Sequence, residues 1–226
     1  MSHEKTQTDI PAEEYVKAAL DNLRATSRTA SGTVDTTASR DKAASMSGVS
    51  GNQAAELAQG NFERAIKKLY DERHKTFAHP EQLRSFVEEI ATLINTGIVK
   101  EGVLLRTHDS DKYPYTRVKN LEMAMKEFYT TFHELMRILE EEPIQLAAWV
   151  EYRMDLTDHF FADGCGKISK AISAWTLMRA NHKLPKFPKE RELLFAAAPT
   201  RAIDMIDAQE DSKQFAQWLT FYMSLF

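Results

Sequence analysis

Between two strongly helical patterns the chain runs Asp158-His159-Phe160-Phe161-Ala162-Asp163-Gly164-Cys165-Gly166-Lys167-Ile168-Ser169-Lys170, gathering a histidine, two carboxylates, two glycines, a thiol and two lysines into thirteen residues. Gly164 and Gly166 are the only glycines after Gly102. Glycines one residue apart open dihedrals closed to other residues, so successive N–H groups can converge into an anion-binding nest. A helix that begins here adds unpaired amide donors and the positive end of its dipole. Lys167 and Lys170, three apart, are placed to project from neighbouring positions of its first turns. Cations at a helix start oppose the dipole, which makes sense around an anion. The stretch therefore predicts a phosphate cradle. It is not a P-loop, because Phe161 and Ile168 stand where that loop needs glycine and a hydroxyl residue. Nor is it an EF-hand, because a loop starting at Asp155 meets Thr157, His159 and Phe160 at positions that need oxygen ligands and glycine.

The elements around the cradle read as helices. Pro11 to Leu23 puts Val16, Ala19, Leu20 and Leu23 on one face behind a first-turn proline. Residues 25–52 offer only Val34, Met46 and Val49 as large apolar side chains, too few to offset the entropy of ordering them, and are expected to be mobile. From Asn52 onward the 3.6-residue period dominates: Phe62 to Tyr70, Leu83 to Ile94 after Pro80, Thr116 to Leu139, Glu142 to Asp158, then about 166–180, 189–197 and 201–226. Ile98 to Tyr115 breaks it. There the β-prone Val103-Leu104-Leu105 leads into a polar tip at 108–112, the one candidate hairpin. With no βαβ alternation the expected class is all-α with a small β-hairpin flap, divided into residues 1–52 and a helical domain over 53–226. Trp149, Trp175 and Trp218 fall on helical stripes and read as core.

Composition bounds the function. The chain has 226 residues, 43% of them apolar and 27% charged, near the averages for soluble globular proteins. A net charge of -4 gives no global basic field for nucleic acid. No apolar run is long enough to span a membrane, and the polar N-terminus carries no signal-peptide pattern, so a cytoplasmic protein is expected, with delivery into a host cell left open. Cys165, the single cysteine, excludes an intramolecular disulfide and any multi-cysteine zinc site.

The pattern His-x-Phe-x-Asp-Gly-x-Gly-Lys over His159 to Lys167 resembles the active-site motif of the Fic (Fido) family, whose common form is His-x-Phe-x-Asp/Glu-Gly-Asn-Gly-Arg-x-x-Arg. Glu142 to Ala148 is similar to the family's helix leading into the motif, and Gly102 to Arg106 to the segment entering its substrate-docking flap. The resemblance covers about 83–226. It implies a helical Fic-like fold and transfer of a phosphate-containing group, most simply AMP from ATP, onto a protein hydroxyl. His159 would be the general base, a role suited to an imidazole of ordinary pKa about 6.5. Asp163 would hold Mg²⁺. Gly164, Cys165, Gly166, Lys167 and Lys170 would bind the donor's phosphates, Arg106 would line the flap or a phosphate, and a protein substrate would be presented near 103–115. Without the resemblance, His159 reads as a residue capping helix carbonyls, Asp163 as a turn former and Arg106 as a surface ion pair. Three positions depart from the family: Cys165 for asparagine, and Lys167 and Lys170 for arginines. Cysteine is a weak hydrogen-bond partner and lysine lacks the two-pronged arginine fork. They leave open a different donor or acceptor (phosphocholine, phosphoryl, another nucleotide, a small-molecule hydroxyl) or a non-catalytic binding module. Cys165 at a helix start also admits a nucleophilic thiol of lowered pKa. Ser85-x-x-x-Glu89 is the nearest match to the family's self-inhibitory pattern, but Ile90 stands at its last position. A homo-oligomer is admitted; the target is not legible.

Overall fold

A computed structural model describes residues 9–26, 48, 51–109, 115–188 and 208–226. Apolar residues at three- and four-residue spacing build seven helices among the described residues: α1 (Ala12–Thr26), α2 (Gly51–Asp71), α3 (Pro80–Asn95), α4 (Leu121–Ile138), α5 (Pro143–Glu151), α6 (Cys165–Arg179) and α7 (Ala208–Met223). The all-α expectation holds, and most helical segments read from the sequence lie within a few residues of these bounds. The expected helix at 189–197, residues 201–207 and most of the 25–52 segment lie outside the described residues. No described helix is long and apolar enough to cross a membrane.

Helix α6 is the axis. Twelve of its fifteen residues are buried, Lys167, Ser169, Ser173 and Thr176 among them, and a helix covered on every side can only sit inside a core. Helices α1, α2, α3 and α5 pack against it, α4 bridges α3 and α5, and α7 closes the far side of α5. Trp175 of α6 lies 5.2 Å from Phe86 of α3, ring centre to ring centre, and its indole N–H donates to the Glu72 carbonyl. All three tryptophans are buried, as their helical stripes imply. Tyr15, Val16, Ala19 and Leu23 carry α1 into the same core.

Helix α5 opens with Pro143, where the missing N–H costs nothing, and its last turns widen into a π-helical turn over Tyr152–Thr157. The Asp158 amide accordingly donates to Arg153 O, five residues back, at 2.8 Å. Such turns insert one residue into a helix and often mark functional sites. Here the turn delivers the motif loop, 158–164, onto the start of α6.

The flap departs from the hairpin expectation. Among the described residues Val103-Leu104-Leu105 forms no two-stranded ladder with its return arm, and the tip residues 110–114 lie outside the described set. Each arm pairs with the motif loop instead. Leu105 makes an antiparallel bridge with Phe161, with Arg106 N donating to Phe160 O at 3.1 Å and Ala162 N to Leu104 O at 3.0 Å, while Thr116 N donates to Thr157 O at 3.2 Å. The motif loop supplies the unpaired backbone groups that each arm's N–H and C=O require.

Candidate functional site

Phe160 and Phe161 are fully buried and anchor the loop, each contributing about 1.5–3 kcal/mol by leaving water. Between this anchor and the π-turn, His159 has φ 51, in the left-handed region that non-glycine residues enter at a cost of about 1–2 kcal/mol. Arg106 holds it there. Its Nε donates to His159 O at 2.6 Å, and its Nη2 to Asp158 O at 3.3 Å and to Thr116 O, so one guanidinium joins the flap arms to the loop. Burial lowers the Arg106 pKa. Arg106 is thus committed to carbonyls rather than to the rim of the cradle. Asp158 is fixed likewise, accepting from Arg153 Nε at 2.8 Å and Thr116 Oγ1 at 2.7 Å.

The imidazole of His159 is set from both sides. Tyr115 stacks on its face, with ring centres 4.0 Å apart and planes 11° from parallel. Nδ1 lies 3.0 Å from the Asp155 carbonyl oxygen. A carbonyl only accepts, so Nδ1 carries the proton and the lone pair of the neutral ring falls on Nε2. Burial, the largest influence, lowers the His159 pKa against the opposing pull of the Asp155 charge. The ring is therefore neutral, and a base, at pH 7.

Gly164 has φ 74 and ψ 18, and α6 starts at the next residue, so a left-handed residue followed by right-handed ones gives the nest conformation the paired glycines imply. Its mouth is furnished with side chains. A Cβ on Gly164 would lie 2.8 Å from Asn95 Oδ1 and 2.9 Å from Lys167 Cε; one on Gly166 would lie 3.0 Å from Asp155 Oδ2. Asn95, the last residue of α3, donates through Nδ2 to Asp163 O at 2.9 Å, while its buried Oδ1 has no hydrogen-bond partner. Lys167 Nζ lies 3.3 Å from Asp163 Oδ2, and both side chains are buried, 5% and 6% exposed.

The remaining expected cradle residues are placed elsewhere. Lys170 reaches across to Glu151 of α5 at 3.0 Å and over the Phe187 ring. Cys165 turns inward: its Sγ accepts from Phe161 N at 3.2 Å, and burial pushes its thiol pKa up, opposite to what a nucleophile at a helix start needs. Ser85 donates to Glu81 O of its own helix and Glu89 pairs with Lys68, both apart from the loop. Sequence reasoning overlooked Asn95, Asp155 and Tyr115 as partners. Only Asp155 left a local signal, its i,i+4 spacing to His159. A cavity of about 700 Å³ lies at the other end of α6, beside Leu139, Pro143, Arg179 and His182, and none of its walls belongs to the motif.

A resident Mg²⁺ fits this arrangement poorly. The charge of Asp163 is already met by a buried ammonium, and a second cation there would face it in the same desolvated space. Among the described residues no three histidine, cysteine or acidic side chains gather as a metal site.

No protein-family model matches the sequence, and neither does any curated protein. Solved structures do. IbpAFic2 covalently tethered to Cdc42 aligns with a TM-score of 0.62 at 17% identity, over 97% of this chain and 65% of that one. A histidine-to-alanine variant of IbpAFic2 in complex with adenylylated Cdc42 aligns with a TM-score of 0.62 at 16% identity, with the same two coverages. A Fic-domain-containing signalling protein from Bacteroides thetaiotaomicron gives 0.63 at 16%, over 97% of this chain and 88% of that one. The chain has the Fic fold. It spans about two thirds of the length, 65%, of the IbpAFic2 chains it matches.

Proposed function

We propose that the chain is a Fic-type transferase that moves a phosphate-containing group, most simply AMP from ATP, onto a hydroxyl of a protein, with a cytoplasmic site of action. The observation that carries this reading is the pairing, within six residues, of a neutral His159 whose Nε2 lone pair is left for chemistry with a left-handed glycine nest at the start of a helix. In this reaction Nε2 takes the hydroxyl proton as the oxygen attacks the donor's α-phosphorus. The new P–O bond forms as the α–β phosphoanhydride bond breaks, and diphosphate leaves. The amides at the start of α6 and Lys167 hold the donor's phosphates, and the flap arms, pinned by Arg106, receive the acceptor. The complex of IbpAFic2 with adenylylated Cdc42 supports the choice of acceptor class.

A second reading, with the same base and another donor such as a phosphocholine conjugate, is favoured by the placement of Cys165 and Lys170. With both turned away, the grip on phosphate rests on backbone amides and one lysine. Intact-mass analysis of a lysate incubated with the protein and a panel of nucleotides and CDP-conjugates tests both. An adduct that depends on His159 supports the transferase, and its mass names the donor. Adducts that persist in His159→Ala, or none with any donor, refute it.

A further inference from the structure

We propose that Lys167 is the resident cation of the cradle, taking at Asp163 the place of a divalent metal, so that the phosphate donor binds without Mg²⁺. The proposal deepens the donor-cradle reading and rests on it for its functional meaning.

A lysine in the first turn of a helix opposes the dipole, and burying its ammonium adds a desolvation cost. Lys167 nevertheless lies there 95% covered. Its stem folds back over Gly164, where only a glycine leaves room, and its Nζ rests 3.3 Å from a carboxylate that is itself buried. The mouth of the nest is rich in acceptors. Asn95 cannot be turned to relieve its unpaired Oδ1, because the flip would set that oxygen against Asp163 O, now served by Nδ2. A carboxylate and an orphaned amide oxygen at one opening favour a cation, and the Lys167 ammonium meets the carboxylate while the amide oxygen keeps no donor. A hydrated Mg²⁺ needs near-octahedral room at short distance, but Lys167 and Asn95 fill the space over Gly164 and the Asp155 carboxylate fills that over Gly166. Lys170 and Arg106 are engaged elsewhere, which among the described residues leaves Lys167 as the cation beside the nest amides.

The test measures binding of ATP and of CDP-choline to the full chain by calorimetry, in EDTA and in Mg²⁺, with a Mn²⁺ titration by water-proton relaxation in the absence of nucleotide. Wild-type affinity is expected to agree between EDTA and Mg²⁺ within about threefold. Lys167→Met, checked for folding by circular dichroism, should bind at least about tenfold more weakly in EDTA and recover part of the loss in Mg²⁺. Lys167→Arg should remain indifferent to the metal. A wild-type gain above about tenfold from Mg²⁺ that Asp163→Asn removes overturns the proposal and leaves the donor reading standing. If no donor binds under any condition, the donor reading fails and the Mn²⁺ titration decides the counter-charge alone. An Asp163-dependent Mn²⁺ site in the wild type then overturns the proposal, and none sustains Lys167 as the counter-charge of Asp163 while the donor half of the proposal falls.

Discussion

Helix α6 carries two buried lysine–carboxylate pairs three residues apart, and they differ in kind. Lys170–Glu151 ties α6 to α5 across nineteen residues of chain, deep in the core. Burial pulls the Lys170 pKa down, but the charges of Glu151 and Asp155 outweigh it and raise it. The ammonium also faces the Phe187 ring, and Ser173 and Tyr222 share a hydrogen bond nearby. Lys167–Asp163 spans one helical turn at a loop that includes left-handed residues, beside an acceptor without a donor. One pair clamps two helices and the other equips an opening. In the linear motif both lysines read as phosphate-binding cations; their neighbours set one between two helices and the other beside the nest.

The largest effect should fall on the site side of this contrast. His159→Ala is expected to reduce transfer by about 10²- to 10⁴-fold while donor binding and the melting temperature stay near wild type. Single-turnover kinetics alongside calorimetry check this, and a parallel loss of donor binding would tell against His159 acting on the acceptor. Lys170→Met breaks the clamp. It leaves Glu151 charged and buried, costs about 3–5 kcal/mol and lowers the melting temperature by roughly 10 °C. Adding Glu151→Leu should restore most of this, since an apolar pair of similar volume is often neutral. A wild-type melting temperature in Lys170→Met would erase the distinction.

Gly164→Ala sharpens the contrast from the loop. A Cβ at φ 74, pressed on Asn95 and Lys167, should cost about 1–3 kcal/mol by chemical denaturation and weaken donor binding without changing the pH profile. The mildest test is pH. Burial holds the folded His159 pKa below its unfolded value near 6.5. Its neutral form therefore contributes stability above pH 6.5, lost as pH falls toward the folded pKa, and the acid limb of activity should have its midpoint below 6.5. A limb centred above 6.5 would assign the base elsewhere.

The helices were legible because one apolar stripe per segment suffices to show them, and α6 shows where that stops: it is buried on all sides although lysines, serines and a threonine interrupt its apolar residues. The identities of the motif residues were legible for a related reason, since glycine pairs and a following helix are local features. Partners were not. Asn95 meets the motif loop from sixty-eight residues away in sequence, and Arg106 finds carbonyls at 116, 158 and 159 that no spacing rule announces. The flap misled for the same reason. A β-prone run shows that it wants a pairing partner without showing which, and among the described residues the partner is Phe161 rather than its own return arm. The place of Cys165 at a helix start admitted a nucleophilic thiol, yet its i,i+4 relation to Phe161 turns it inward.

The π-turn at Tyr152–Thr157 sets the phase of everything downstream. Each residue of a regular helix advances the chain by about 100° around the axis, so the extra residue held in this turn is an angular offset, stored at one place. Deleting a single residue there would let the segment relax to an ordinary helix with the imidazole near its present bearing, whereas deleting one from the regular helix before it would swing the imidazole about 100° around the axis. The bearing of the motif loop on α5 is thus fixed by a count of residues as much as by any contact, and a one-residue change in the regular part of that helix would turn the whole loop, base and cradle together.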